Sequence, residues 1–261
     1  MSADSSPQRE SSQNGVRKHV HPLHTVPITN APKGKIPNTP LAASTVSFIL
    51  GSVFALGSSA FLAGGLPGSC WATYQLGFYV ASWAAFHWGE FAVTAGWNFE
   101  KCSVDSFLLE NGTMYHIAHS VALTEYLITL FFKPSWKGFP YISALGLVLV
   151  VLGQALRSMA MIHASTNFSH SVAFQKREGH RLVSDGVYAW CRHPSYAGFF
   201  YWALGTQLVL QNPLSFIAFT VILWRFFYHR TRGEEGALIN FFGDEYVNYR
   251  RRVGTKIPFI P

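Results

Sequence analysis

The sequence predicts an all-α integral membrane protein with about six membrane helices. Only 13% of its 261 residues are charged, whereas about 25% is usual in globular domains. Between Ile36 and Gly89 there is no Asp, Glu, Lys or Arg. A membrane helix needs about 20 mostly apolar residues, so this stretch alone has room for two.

The chain divides into three predicted regions. Residues 1–40 are rich in Ser, Pro, Asn and His and have no apolar periodicity, which is typical of a disordered tail. Residues 41–163 are predicted to form four transmembrane helices. Residues 164–261 are predicted to form the functional region, with a polar loop, a helical hairpin and an amphipathic C-terminal helix.

The first four membrane helices follow from apolar segments separated by polar or Pro-containing connections. The tight turn Pro67-Gly68 joins the first two as an antiparallel pair. The third helix is the weakest prediction because His116, His119 and Glu125 interrupt it. The expected bounds are roughly 41–65, 70–97, 114–132 and 141–163.

Polar residues in two of these helices need partners. His87, Glu90, Thr94 and Asn98 lie at offsets of 3, 7 and 11, which places them on one face of the second helix. Buried polar groups in membrane helices face the bundle, so they are expected to form a polar seam. Arg157, in the last third of the fourth helix, is expected to snorkel to the headgroups.

The hairpin is predicted from two short apolar segments, 195–211 and 214–228, joined by Asn212-Pro213. Gly198 and Gly205 are seven residues apart, on one helical face, as expected of a tightly packed hairpin. A separate charged amphipathic helix is expected over 230–252.

The distribution of basic residues predicts the topology. Six membrane helices would place both termini on one side, together with most of the Lys and Arg residues, and this side is therefore cytosolic. Because the net charge of +7 comes from tails and loops, it does not indicate a nucleic-acid partner. The three cysteines lack the spacing of a zinc site.

The longest polar run between membrane segments extends from His180 to Gly198 and is the candidate site. Because Asn212-Pro213 turns the chain straight back, the start of one hairpin arm must lie beside the end of the other. A convergence of four side chains is therefore expected at one membrane-level cavity: His193, Tyr196, Arg230 and Glu234.

Spacing alone leaves the roles of these residues open. Arg230 and Glu234 share a helix face, either as a surface ion pair or as separate ligand groups, with Arg230 holding a carboxylate. His193 and Pro194 fit either a plain helix start or a ligand site at a helix N-terminus. Tyr188 and Trp190 could stack on a planar ring or lie in the headgroup belt.

Longer motifs closely resemble the isoprenylcysteine carboxyl methyltransferase family. The resemblance covers roughly residue 41 to the end. It is strongest in the run from Gly186 to Gln207. Further matching segments are Ser106–Leu109, Asn111-Gly112, Ala118–Ser120, Gly153-Gln154, Phe168–His170, Asn212-Pro213, Trp224–Phe227, Arg230 with Glu234-Glu235, Phe241–Tyr246 and Ile257–Ile260.

The resemblance implies a multi-pass enzyme of the endoplasmic reticulum that uses S-adenosylmethionine and no metal. It would methylate the C-terminal carboxylate of prenylated cysteine on processed CaaX proteins, such as small GTPases and lipidated peptides. Arg230 matches the family's substrate-contacting arginine. The family's cofactor contacts fall on His180, Arg181, Leu182, Val183, Tyr188, His193, Pro194, Ser195, Tyr196 and Glu234. A further contact falls on Ala173, which could offer only its backbone.

This chemistry suits the residues. A carboxylate is already a nucleophile and a sulfonium methyl is already activated, so placement and exclusion of water can supply the catalysis without a general base. Two other functions stay open. A membrane sterol reductase of related architecture would bind NADPH, and a non-enzymatic prenyl-protein receptor would bind the lipidated tail alone.

Overall fold

The computed structural model describes residues 34–65, 71–172, 175–176 and 179–261. Residues 1–33 of the predicted tail and the Pro67-Gly68 turn lie outside these ranges. The described residues form seven α-helices and no β-strand, which confirms the all-α prediction. The helices are α1 (Pro40–Leu62), α2 (Tyr74–Trp97), α3 (Thr113–Phe132), α4 (Pro140–Ala164), α5 (Pro194–Leu210), α6 (Pro213–Phe242) and α7 (Asp244–Arg252).

Prolines mark the starts of four of these helices. Pro40, Pro140, Pro194 and Pro213 each occupy the first helical position, where the missing N–H costs nothing and the fixed φ favours the helix. Asn212 precedes Pro213 directly after α5 ends, so α5 and α6 form the predicted hairpin.

The second arm of the hairpin is longer than the sequence predicted. The expected break between an arm ending at 228 and a separate helix over 230–252 is wrong, because α6 continues unbroken to Phe242. The break falls at Gly243, whose φ of 54° and ψ of −130° suit glycine. The change from apolar to charged residues near Arg230 alters the environment of the helix and not its continuity.

Within the described residues, two helical segments are long and apolar enough to cross a membrane by length and composition, Pro40–Leu62 and Pro140–Asn167. Large apolar side chains are exposed along the outer faces of α1, α3, α4 and α6. By contrast, most of α5 is buried. The bundle therefore surrounds α5 and presents an apolar outer surface.

The most extensive helix–helix contact joins α4 and α5 through facing glycines. A Cβ added to Gly198 would lie 2.7 Å from the backbone of Gly153, and one on Gly205 would lie 2.8 Å from that of Gly146. Gly198 and Gly205 thus serve close packing as predicted, but their partner is α4 and not the other hairpin arm. The reason is that α4 has its own glycines at the same spacing of seven.

Replacement of Gly153 by alanine is expected to destabilise the bundle by about 1–3 kcal/mol, as overpacking does. The new Cβ would lie 2.6 Å from the backbone nitrogen of Trp202, so the two helices must move apart. Thermal unfolding of purified protein in detergent measures the loss. Gly51→Ala in α1 is the matched control, because a Cβ there meets nothing within 4 Å; an equal loss in both variants would contradict this account.

The polar seam on α2 is confirmed, since His87, Glu90, Thr94 and Asn98 are all at most 4% exposed. The prediction that Arg157 snorkels outward is wrong. Its side chain is buried and forms a two-pronged ion pair with Glu90, with Arg157 Nη2 at 2.9 Å from Glu90 Oε2. A buried carboxylate on a neighbouring helix outcompetes the more distant headgroups.

Residues 34–39, assigned by composition to the tail, lie against the connection between α2 and α3. The backbone N–H of Lys35 donates to the Glu110 carboxylate at 2.9 and 3.1 Å. Asn38 accepts a hydrogen bond from the backbone N–H of Val104 at 3.0 Å. Local composition could not reveal these partners, because they lie about 70 residues further along the chain.

Candidate functional site

The hairpin brings together the four side chains that the sequence expected to converge. Arg230 Nε donates to the Tyr196 hydroxyl at 2.9 Å, and that hydroxyl donates to Glu234. His193 Nδ1 lies 3.7 Å from Glu234 Oε2. Tyr196 therefore links Arg230 to Glu234, and the two residues serve different sides of the site.

The first cavity lies beneath the loop that precedes α5 and holds about 700 Å³ of empty space, including its open mouth. Every predicted cofactor contact within the described residues lines it, while Ala173 lies outside those residues. These lining residues are His180, Arg181, Leu182, Val183, Tyr188, His193, Pro194, Ser195, Tyr196 and Glu234.

The second cavity, of about 550 Å³, lies between α4, α5 and α6 on the other side of Tyr196. Its walls combine polar groups, Arg230 and Arg157 among them, with an apolar group made of Leu108, Phe199, Phe226 and Phe227. An arginine beside a group of phenylalanines suits a ligand with a hydrocarbon body and an anionic end.

The two cavities share one wall, made of Phe168, Ser169, Ser195 and Tyr196. Of these two cavities, Arg230 lines the second and Glu234 the first, although Tyr196 bonds to both residues. Two ligands bound in these spaces would therefore meet at the start of α5.

A buried ionic network holds the start of α5 in place. Arg192 Nε lies 2.7 Å from Glu235 Oε1, and His193 Nε2 lies 3.2 Å from the same oxygen. Burial alone would raise the pKa of Glu235, but the hydrogen bond from His193 and the charge of Arg192 lower it. Arg192 also donates to the carbonyls of Val253 and Pro261, which ties the C-terminal tail to the site.

A second support reaches the site from α2 and α4. Arg157, paired with Glu90, also donates to Ser195 Oγ at 3.1 Å, and His170 Nε2 lies 2.9 Å from Glu90 Oε2. The polar seam therefore positions both Ser195 in α5 and the 168–171 segment of the shared wall.

Several lining residues of the first cavity were not among the predicted site residues. Tyr246 and Tyr249 on α7 close one side, and the Tyr249 hydroxyl donates to the carbonyl of Tyr188 at 2.6 Å. The spacing of the apolar residues in α7 predicted that one face of this helix is buried, but it did not reveal what that face packs against. Trp190 does not line this cavity and is 58% exposed, so of the two candidate stacking rings only Tyr188 faces it.

The fold and site together define a helical membrane protein with two adjoining cavities at one end of its bundle, one lined by Glu234 and the other by Arg230 and a group of phenylalanines. Such an arrangement suits an intramembrane protein that brings a polar and an amphipathic ligand into contact.

Comparisons with known proteins identify the family. The model of the isoprenylcysteine carboxyl methyltransferase family matches residues 145–240. Protein-S-isoprenylcysteine O-methyltransferase of Rattus norvegicus is 46% identical over 186 residues, which are 71% of this chain and 66% of the rat protein. That of Schizosaccharomyces pombe is 40% identical over 242 residues, covering 86% of this chain and 98% of the yeast protein.

A solved structure agrees with the sequence comparisons. The eukaryotic intramembrane Ras methyltransferase, an isoprenylcysteine carboxyl methyltransferase, superposes with a TM-score of 0.77 at 37% identity. The match covers 84% of this chain and 82% of that one. The chain belongs to the isoprenylcysteine carboxyl methyltransferase family. The resemblance inferred from the motifs is thereby confirmed.

Proposed function

We propose that the protein transfers a methyl group from S-adenosylmethionine to the C-terminal carboxylate of prenylated cysteine on processed CaaX proteins. The observation that carries the proposal is the pair of cavities meeting at Tyr196, with Glu234 in one and Arg230 beside a group of phenylalanines in the other. Small GTPases and lipidated peptides are the proposed substrates.

The first cavity fits S-adenosylmethionine. Tyr246 lines this cavity, and its buried hydroxyl has no hydrogen-bond partner within the part of the chain that the structure describes. Burial raises the pKa of Tyr246, so the hydroxyl stays protonated and can donate to a ligand. Glu234 offers a carboxylate to an ammonium or hydroxyl, while His180 and Phe242 offer aromatic surface to a planar base. When bound, the cofactor supplies a methyl group that its sulfonium has already activated.

The chain's own residues would orient the second ligand. Arg230 would hold the prenylcysteine carboxylate through its guanidinium, a donor that matches carboxylate geometry. Phe199, Phe226 and Phe227 would surround the prenyl chain, and each buried CH₂ contributes about 0.8 kcal/mol. Closure of both cavities against Tyr196 would exclude water, so placement and desolvation would carry the catalysis.

In the proposed topology, α1 to α6 cross the endoplasmic reticulum membrane and both termini lie in the cytosol. The positive-inside rule supports this orientation, because the loop before α5 and the end of α6 carry many basic residues. The site would then lie at the cytosolic face, with the second cavity level with the lipid.

Calorimetric titration of the purified protein distinguishes the candidate functions. We expect S-adenosylhomocysteine to bind with saturable heat and NADPH to give none. Binding of NADPH in its place would favour a sterol reductase. Binding of a prenylated peptide with no affinity for either cofactor would favour a receptor.

Replacement of Tyr196 by phenylalanine is expected to lower kcat/KM by roughly 10- to 100-fold. The change removes a hydrogen bond to each of two charged groups, Arg230 and Glu234, and one such bond contributes about 1.5–3 kcal/mol. The expected loss corresponds to one bond, because Arg230 and Glu234 are four residues apart on α6 and can pair with each other once the hydroxyl is gone. Methyl-transfer kinetics with varied peptide and varied cofactor test the bridging role. Tyr201→Phe in the same helix is the control, because Tyr201 bonds the carbonyl of Lys256 and lines neither cavity. Comparable losses in both variants would refute it.

A further inference from the structure

A third space, here called the side cleft, lies beside the site and plays no part in the proposed chemistry. It is formed by the 34–36 segment, the connection between α2 and α3, and the 168–171 segment, and it holds about 1,470 Å³ of empty space, including its open mouth. Its lining is mostly polar and includes Asn98, Lys101, Asp105, Glu110 and His170.

The side cleft is continuous with the wall of the second cavity. Phe168, Ser169, His170 and Leu108 line both spaces. A substrate peptide whose last residue binds at Arg230 would therefore have the side cleft beside it. The residues that precede the last one could extend into this cleft.

One lining residue indicates that the side cleft receives a polar ligand. Asn98 is 4% exposed, and its buried Oδ1 atom has no hydrogen-bond partner among the described residues, although its Nδ2 donates to the carbonyl of Phe168 at 3.0 Å. A buried acceptor without a hydrogen bond is unfavourable. A donor on a bound ligand would satisfy it.

Two carboxylates give the side cleft its charge preference. A Cβ on Gly34 would lie 2.8 Å from both Asp105 Oδ1 and Glu110 Oε2, so both carboxylates lie beside the backbone of Gly34. Lys101 is directed to the carbonyls of Thr166 and Phe168. A carboxylate offers about four acceptor positions, and Glu110 already binds the backbone amide of Lys35 with both oxygens.

We propose that the side cleft binds the polypeptide immediately preceding the prenylated cysteine and favours basic residues there. This inference rests on the proposed methyl transfer. Asp105 and Glu110 would attract Lys or Arg side chains, and Asn98 would accept a hydrogen bond from the peptide. The cleft would set which prenylated proteins react fastest, while Arg230 and the prenyl-binding walls recognise the end that all of them share.

The test compares three substrates on the full-length wild-type protein. Two are farnesylated peptides of equal length with Lys or Glu before the cysteine, and the third is N-acetyl-farnesylcysteine, which cannot reach the cleft. We expect kcat/KM for the Lys peptide to exceed that for the Glu peptide by about three- to tenfold, as for two partly exposed ion pairs. The ratio should fall towards one at high salt.

The double variant Asp105→Asn/Glu110→Gln should lose this ratio and still methylate N-acetyl-farnesylcysteine at the wild-type rate. Glu245→Gln, an exposed carboxylate on α7, is the control and should keep the ratio. A wild-type ratio near one, or a ratio that the double variant retains, would overturn the side-cleft proposal. Since the wild-type salt series needs no variant, a folding defect in the double variant cannot protect the proposal. If the wild-type protein methylates none of the three substrates, the proposed methyl transfer itself is refuted.

Discussion

Replacement of Arg230 by alanine is expected to lower kcat/KM for methyl transfer by roughly 30- to 5,000-fold while S-adenosylhomocysteine still binds. Arg230 lines the second cavity and not the first. Removing one partner of a buried, hydrogen-bonded charge pair costs about 2–5 kcal/mol. This free energy corresponds to the expected 30- to 5,000-fold change in kcat/KM. Steady-state kinetics and calorimetry on the same preparation measure the two effects.

Arg232→Ala is the matched control for this change. Arg232 lies two residues further along α6, packs over the Tyr228 ring at 4.5 Å and lines neither cavity. It should retain near wild-type activity. Activity retained in Arg230→Ala, or cofactor affinity lost together with activity, would show that Arg230 does not hold the carboxylate.

Replacement of Glu90 by glutamine is expected to destabilise the protein by about 3–5 kcal/mol, because it leaves the buried Arg157 without its counter-charge. Glu90 and Arg157 are at most 8% exposed, and His170 adds a second contact to the same carboxylate. Thermal unfolding in detergent reports the loss. Activity should fall as well, since Arg157 also holds Ser195 in the shared wall.

The double variant Glu90→Leu/Arg157→Met is the control, because replacing a whole buried pair by apolar residues of similar size is often neutral or stabilising. It should recover much of the melting temperature without recovering full activity. A single variant as stable as wild type would show that the pair is not the support described here.

The convergence of Tyr196, Arg230 and Glu234 could be predicted from the sequence because it depends on local information. A two-residue turn at Asn212-Pro213 fixes which hairpin residues become neighbours, and helical spacing fixes which of them share a face. The buried face of α2 followed from the same kind of periodicity.

Pairings between distant helices could not be predicted in this way. The partner of Arg157 is 67 residues away on α2, and nothing near Arg157 distinguishes that carboxylate from a headgroup. Likewise, the spacing of Gly198 and Gly205 indicated close packing without revealing α4 as the partner. The orphaned hydroxyl of Tyr246 and the side cleft depend on how loops meet in space, which periodicity does not encode.

The most direct test of the proposed function uses purified wild-type protein, S-adenosylmethionine labelled in its methyl group, and a farnesylated peptide that ends in cysteine. We predict that label enters the peptide as a base-labile methyl ester, and that the same peptide with an amidated C-terminus accepts none. Absence of label from the free-carboxylate peptide, or equal labelling of the amidated one, would contradict methyl transfer to the prenylcysteine carboxylate.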